Sequence, residues 1–284
     1  MYIATATNFR YKDYCAAMIA SVCANTKSPS QIVFTIMIRE KNGYYLTQYI
    51  KTLTQKFKCT INIVHLKPER FIGLKTSIHK TADAYSKVFA PKIVNAYTKR
   101  LLYLDCDIIV IKDIKELWQS NLNLKIVGAV RDTFYETAVV RKPLFNSGVM
   151  LIDVEKYIGA EIEEQVVSAV RRNDPTGLWL ADQDELNDIL VGLWEVLPAK
   201  WNVASADFAS KNTQAKNPSI IHFTGPAVLK PDHLLCDNPY KKTYYTYASM
   251  VFPPNPLIPF IPIGLARLLR IGLFYAKKLT GSEA

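Results

Sequence analysis

Apolar and polar positions follow two alternating periods over the first hundred residues. Tyr2–Ala6, Gln31–Ile38 (QIVFTIMI) and Cys59–Leu66 (CTINIVHL) read as strands, while Tyr14–Cys23 and Tyr44–Phe57 space their apolar residues as helices do. Strand, helix, strand, helix, strand predicts a parallel sheet with crossover helices. A helix is expected over Ser77–Tyr97, feeding a strand at Leu101–Leu104. Next come a strand at Ile108–Ile111, a short helix near Lys112–Trp118 and a strand at Ile126–Val130. Phe145–Val154 is a strongly apolar strand, followed by a helix at about Glu155–Arg172. The fold class is therefore α/β, and no repeat or low-complexity tract interrupts it.

The pattern changes near the C-terminus, which divides the chain into a domain over 1–250 and a tail over 251–284. Phe252–Pro262 (FPPNPLIPFIP) has five prolines, too many for a helix or a central strand. Leu265–Leu279 is apolar with Arg267, Arg270, Lys277 and Lys278 interspersed. That stretch is too short and too charged to span a bilayer, but it suits an interface with anionic lipid. The plainer alternative is a C-terminal helix docked on the domain. No 18-residue apolar run free of charge or proline occurs, so no spanning helix is expected.

At 284 residues with 49% hydrophobic and 21% charged positions, the chain can bury a sizeable core, which excludes disorder and collagen-like or disulfide-scaffold classes. The formal charge of +10 is unevenly placed: 16 Lys and Arg against 4 acids in residues 1–100, then 10 against 17 in 101–200, then 9 against 4. A basic frame around an acidic middle suits an anionic ligand or surface, with a cation inside. Cys15, Cys23, Cys59, Cys106 and Cys236 are odd in number and scattered, with no C-x-x-C pair, which favours a reducing compartment over structural zinc. The N-terminus lacks a basic segment followed by an apolar one, so secretion is not expected.

Four groups of residues carry candidate chemistry. In Leu101–Ile111, Asp105 and Asp107 interrupt an otherwise apolar run, on either side of Cys106. At a strand's end, side chains two apart point the same way, and two buried like charges need a cation between them. Oxygen ligands favour Mg²⁺ or Mn²⁺. A polar loop with solvated aspartates is the alternative. Asp182-Gln183-Asp184-Glu185-Leu186-Asn187 reads locally as a helix start, with Asp182 as N-cap and Glu185 closing a capping box. That reading leaves Gln183 and Asn187 on one helical face. His222, ending the short strand-like run before Gly225-Pro226, is either a partly buried histidine beside a turn or a third metal ligand, with Lys230 neutralising phosphate nearby. Finally, Asn146-Ser147-Gly148 places a glycine and a polar group inside a strand, and Asp132 follows a strand exit. Ligands of open α/β sheets bind beyond the strands' carboxyl ends, where Asp105, Asp107 and Asp132 can converge.

In order along roughly residues 1–250, these elements resemble the retaining glycosyltransferases of family 8, which include lipopolysaccharide galactosyl- and glucosyltransferases and glycogenin. The resemblance runs through Ala6 and Tyr11, Leu-Tyr-Leu-Asp105-x-Asp107, Asp132 and Phe145-Asn146-Ser147-Gly148-Val149. It continues with Asp182-Gln183-Asp184-x-Leu186-Asn187, Trp201-Asn202, and His222-x-x-Gly225 with Lys230. It implies a GT-A nucleotide-sugar-binding fold with a mixed, mainly parallel central sheet flanked by helices. It also implies a UDP-hexose donor (galactose or glucose) held through Mn²⁺, with Mg²⁺ as the substitute.

By the same resemblance Asp105, Asp107 and His222 ligate the metal. Ala6, Thr7, Asn8 and Tyr11 cradle the uridine; Lys87, Cys106, Gly225 and Lys230 complete the nucleotide side. Asp132, Asn146, Asp182 and Gln183 surround the donor sugar, Gln183 on the face opposite the leaving group. The chain departs from the family pattern at Asn8 and Arg10, at Lys87 where arginine is usual, and in a longer Gly225–Lys230 loop that lacks a tryptophan.

The function expected is transfer of a hexose to a saccharide or glycolipid acceptor such as a lipopolysaccharide core, by a cytoplasmic protein held at the inner face of the membrane through its tail. The alternatives are a glycogenin-like self-glucosylating protein and a non-catalytic basic membrane-binding module. No nucleic-acid motif is present.

Overall fold

The computed structural model describes residues 1–41, 43–74, 82–133, 143–172, 182–205, 217–224 and 229–253, with 262, 264–266 and 268–269 near the C-terminus. The first three strands form where the apolar runs predict: β1 (Tyr2–Ala6), β2 (Val33–Ile38) and β3 (Thr60–His65). With β4 (Arg100–Leu104) they make a parallel block, β1 lying between β2 and β4. Helices α1 (Lys12–Ala24) and α2 (Thr47–Phe57) are the first two crossovers. A 3-10 turn over Ala82–Tyr85 and helix α3 (Ser86–Val94) lead into β4; residues 77–81 of the helix expected at 77–97 lie outside the described part.

After β4 the chain makes β5 (Ile108–Val110), the short α4 (Lys115–Trp118), β6 (Val127–Arg131) and β7 (Phe145–Asp153). Strand β7 enters the sheet antiparallel to both β4 and β6, and β8 (Trp194–Val196) closes the far edge. The order is β3-β2-β1-β4-β7-β6-β8, a mixed, mainly parallel seven-stranded sheet among the described residues. Both faces are covered, which is why the strands read as nearly continuous apolar runs. Leu102 and Leu104 pack with Ile3, Phe34 and Leu151 on the α1–α2 face, while Leu101 and Tyr103 pack with Met37, Phe89 and Met150 on the other.

The helix expected at 155–172 is two helices, α5 (Val154–Gly159) and α6 (Ile162–Arg172). Glu161 between them has φ 52°, a left-handed backbone that ends a helix. Helix α7 (Asp182–Ile189) follows; in a small second sheet β10 (Ile220–His222) pairs with β5 on one side and with β9 (Val203–Ala204) on the other, and α8 (Lys241–Ala248) packs on α1. No described helix is long and apolar enough to cross a membrane.

Candidate active site

The site is assembled where β4 and β10 end and β7 begins. The paired aspartates lie not on a strand but in the turn between β4 and β5. Two backbone bonds fix that turn: Asp105 N–H donates to the Gly148 carbonyl (2.8 Å), and Phe223 N–H donates to the Asp107 carbonyl (3.0 Å). Antiparallel pairing then sets His222 opposite Ile108, one residue past Asp107. Ligand atoms from Asp105, Asp107 and His222 fall within 4.8 Å of one another. His222 Nε2 is 3.2 Å from Asp107 Oδ1 and 3.8 Å from Asp105 Oδ2. Two carboxylate oxygens and one imidazole nitrogen form a donor set that fits a divalent cation.

Gly148 makes this approach possible. A Cβ there would lie 2.3 Å from His222 Cε1 and 2.9 Å from Asp105 Oδ2, so only glycine lets β7 run behind the three ligands.

Two lysines flank the aspartates. Lys230 Nζ pairs with Asp107 Oδ2 and donates to the Phe223 carbonyl (2.7 Å), so the longer loop still delivers it to the site. It also lies 5.8 Å from the centroid of the Tyr11 ring. Burial pushes the Asp107 carboxyl up, but Lys230 and His222 outweigh it and hold the group below the usual carboxylate range. Lys87 Nζ sits 2.9 Å from Asp182 Oδ2 and 3.3 Å from Asp105 Oδ1, and donates to Ser147 Oγ (3.0 Å). Its ammonium is buried, which disfavours the charge; the two carboxylates more than offset this and raise its pKa. Cys106, between the aspartates, is buried, and burial together with Asp107 drives its thiol well up. The metal-ligand atoms that converge do not include its sulfur.

The β7 side of the site is built from amides. The register between β6 and β7 shifts after Ala129, which pairs with Met150, whereas Val130 pairs with Asn146. Residues 147–149 thus leave the ladder with β6. The Ser147 N–H is taken by Gln183 Oε1 (3.2 Å) and the Gly148 N–H by Asn146 Oδ1 (3.0 Å). Both amide nitrogens then point at Asp132 Oδ2, Gln183 Nε2 at 3.1 Å and Asn146 Nδ2 at 3.2 Å. Asn187 holds α7 against β7, accepting from Phe145 N–H (2.8 Å) and donating to the carbonyls of Phe145 (2.9 Å) and Gln183 (2.8 Å).

Asp182, read from sequence as a helix cap, is fully buried, and its Oδ2 takes Ser147 Oγ (3.1 Å) and Lys87. Those two partners are tertiary, beyond the reach of a local pattern.

The sequence-predicted nucleotide segment leaves β1 at Ala6 and turns into α1. Thr7 is buried and bonds to the Met37 carbonyl through its N–H (3.0 Å). Asn8 Oδ1 accepts from the Arg10 and Tyr11 N–H groups (3.0 and 3.1 Å), and its Nδ2 donates to Asp83 (3.0 Å), which is paired with Arg39 (2.8 Å). Gly225 lies outside the described residues.

The sequence places Ser147 and Asn202 inside matched motifs without giving either a role. Asn202 Nδ2 donates to Asn146 Oδ1 (2.9 Å) and its Oδ1 faces His222 Nδ1 (3.0 Å). With them the polar groups close into a ring: Asp105, His222, Asn202, Asn146, Asp132, Gln183, Ser147, Asp182, Lys87 and back to Asp105. Neither residue carries a charge, and each enters the sequence reading only as part of a motif, Phe145-Asn146-Ser147-Gly148-Val149 or Trp201-Asn202.

Comparison with known proteins gives a consistent result. Residues 2–233 match the family model described as Glycosyl transferase family 8. General stress protein A of Bacillus subtilis is 27% identical over 272 residues, covering 88% of this chain and 93% of that protein. Lipopolysaccharide 1,2-glucosyltransferase of Escherichia coli is 25% identical over 260 residues, covering 85% and 75%. Among solved structures, the galactosyltransferase LgtC in complex with donor and acceptor sugar analogues superposes with a TM-score of 0.78 at 22% identity, covering 90% of this chain and 98% of that one.

Proposed function

From the premise that this chain belongs to glycosyl transferase family 8 and has the GT-A fold, we propose that it transfers a hexose, galactose or glucose, from a UDP-sugar to a saccharide or glycolipid acceptor, with retention at the anomeric carbon. A lipopolysaccharide core is the acceptor class that the similarity to the E. coli glucosyltransferase favours. The observation that carries the reading is the meeting of Asp105, Asp107 and His222 beside Lys230 at one end of a buried polar ring, with Asp132 and Gln183 at the other.

In this reading Asp105, Asp107 and His222 hold Mn²⁺ or Mg²⁺. Bound there, the ion supplies electrostatic stabilisation of the negative charge that builds on the departing diphosphate. Lys230 leaves Asp107 for the diphosphate and does the same work as a point cation, stronger in the transition state than in the ground state. Thr7, Asn8 and Tyr11 take the uridine, the half-buried Tyr11 offering a ring face. Asp132 and Asn146 orient the sugar hydroxyls, and Asp182 acts through Lys87.

Gln183 supports same-face transfer rather than a double displacement. A neutral amide is a poor nucleophile, and here its oxygen is already engaged by the Ser147 N–H. The acceptor hydroxyl then gives its proton to the departing diphosphate.

The tail is the proposed membrane contact: Leu265, Leu268 and Leu269 are exposed while Ala266 is buried. Deleting residues 252–284 should release the protein from anionic liposomes and spare donor hydrolysis.

The test of the activity is hydrolysis of UDP-galactose, UDP-glucose and UDP-N-acetylglucosamine with Mn²⁺, with Mg²⁺ and with EDTA. Metal-dependent hydrolysis of one hexose donor supports the proposal and names the donor. Hydrolysis unaffected by EDTA would refute the metal-dependent mechanism.

A further inference from the structure

We infer that Asn202 is a positioning residue for the metal site: it fixes His222 with the proton on Nδ1 and so turns the Nε2 lone pair onto the point where Asp105 and Asp107 converge. This rests on the metal-site reading above and goes beyond it by assigning a residue that touches neither donor nor metal.

One donor in this network has a fixed identity. The Gly148 backbone N–H donates to Asn146 Oδ1 at 3.0 Å, so that end of the Asn146 amide is its oxygen. Its nitrogen end then faces the Asp132 carboxylate, as an amide N–H should. A second amide reaching the same Asn146 oxygen has to present nitrogen, and Asn202 does so at 2.9 Å. The other end of Asn202 is therefore an oxygen, and it lies 3.0 Å from His222 Nδ1. An amide oxygen only accepts, so Nδ1 must carry a proton. In the neutral ring that a metal ligand requires, this leaves the lone pair on Nε2, the nitrogen 3.2 Å from Asp107 and 3.8 Å from Asp105.

Burial makes the arrangement binding. Asn202 is 5% and His222 3% exposed, so neither can trade its partner for bulk water without cost. The pairing of β9 with β10 sets Ala204 beside His222, and Trp201, the residue before Asn202, is buried. Histidine ligands of metals commonly have their second nitrogen held in this way, and losing that partner weakens metal binding.

The test measures Mn²⁺ affinity of the full chain by calorimetry, without donor, in wild type, Asn202→Leu, Asn202→Asp and His222→Ala. Asn202→Leu should lose affinity by about 10- to 100-fold. Asn202→Asp still accepts the Nδ1 proton but cannot donate to Asn146, so it should stay near wild type. If Asn202 merely braced Asn146, both variants would fail alike, and the inference would be overturned.

The chain has four histidines, so ¹⁵N imidazole spectra add an independent readout. Nδ1 of His222 should be protonated in wild type and Asn202→Asp, and unprotonated in Asn202→Leu. A protonated Nδ1 with unchanged affinity in Asn202→Leu overturns the inference while His222→Ala still loses metal. Wild-type protein that binds no Mn²⁺, or His222→Ala that binds it normally, brings down the metal-site reading and this inference with it.

Discussion

The two ends of the polar ring are held by different physics, the half-buried Asp105–Asp107 end by charge and the buried Asp132 end by amides. At the Asp105–Asp107 end, carboxylates are close together and tolerated because ammonium groups lie against them, Lys230 on Asp107 and Lys87 between Asp105 and Asp182. At the Asp132 end, a single carboxylate is satisfied by Asn146 and Gln183, neutral amides whose orientation is set by two successive backbone N–H groups. Ion pairs attract over distance and with little directional demand, so a carboxylate can exchange an ammonium for a metal. Amides bond only in one orientation, so that end keeps its shape. On the proposed function, a site that releases one cation for another and holds a sugar still needs both kinds of construction.

Removing charge from the first end should have the largest effect. Lys87→Met leaves the fully buried Asp182 without its ammonium, and breaking such a pair costs about 3–5 kcal/mol, readable by chemical denaturation. Lys87→Arg keeps the charge and should retain most of that stability; equal losses in the two variants would show that packing, not charge, governs the position.

Gly148→Ala comes next. The added methyl meets His222 and Asp105, and overpacking of this kind costs about 1–3 kcal/mol while prising the metal ligands apart. Mn²⁺ affinity should fall with it, and unchanged affinity would mean that β7 does not set the ligand spacing.

At the amide end, Asn187→Ala strands the Phe145 N–H and carbonyl, at about 1–3 kcal/mol. This variant should also lower turnover through Gln183 while leaving Mn²⁺ affinity intact, which separates the two ends directly.

The smallest effect is one of pH. The Asp107 pKa is lowered in the folded protein, so its contribution is present at neutral pH and lost as pH falls below its ordinary value of 3.8. Lys87 has a raised pKa, so its contribution is fully present below its ordinary 10.5 and lost only on the far alkaline side. Metal-free wild type should therefore show an acid-unfolding component below about pH 4 that Asp107→Asn lacks, followed by circular dichroism.

The sheet was legible in the sequence because its strands are covered on both faces, so β1 to β4 appear as apolar runs separated by helical spacing. Asp105 and Asp107 were legible for the converse reason: charge inside such a run is costly enough to require a purpose. Their position in a turn, and the shift of residues 147–149 off β6, follow from tertiary pairing that a strand period does not encode. The break at Glu161 was hidden because a left-handed residue there is not a glycine. The local pattern around Asp182 does describe a helix start, but its partners Lys87 and Ser147 come from distant segments. Asn202 was legible only as part of the Trp201-Asn202 motif, because its role lies in which atoms it meets.

The most direct test is calorimetric titration of UDP into wild type and Asp107→Ala, each with Mn²⁺ and with EDTA. Mn²⁺ should tighten UDP binding in wild type, and Asp107→Ala should abolish the enhancement. In the enzyme, Asp107→Ala should also cut turnover by ~10²-fold or more, the range for losing one electrostatic stabiliser. UDP binding that is indifferent to Mn²⁺ in wild type, or an enhancement that survives Asp107→Ala, would contradict the assignment of this end of the ring to a metal-held diphosphate.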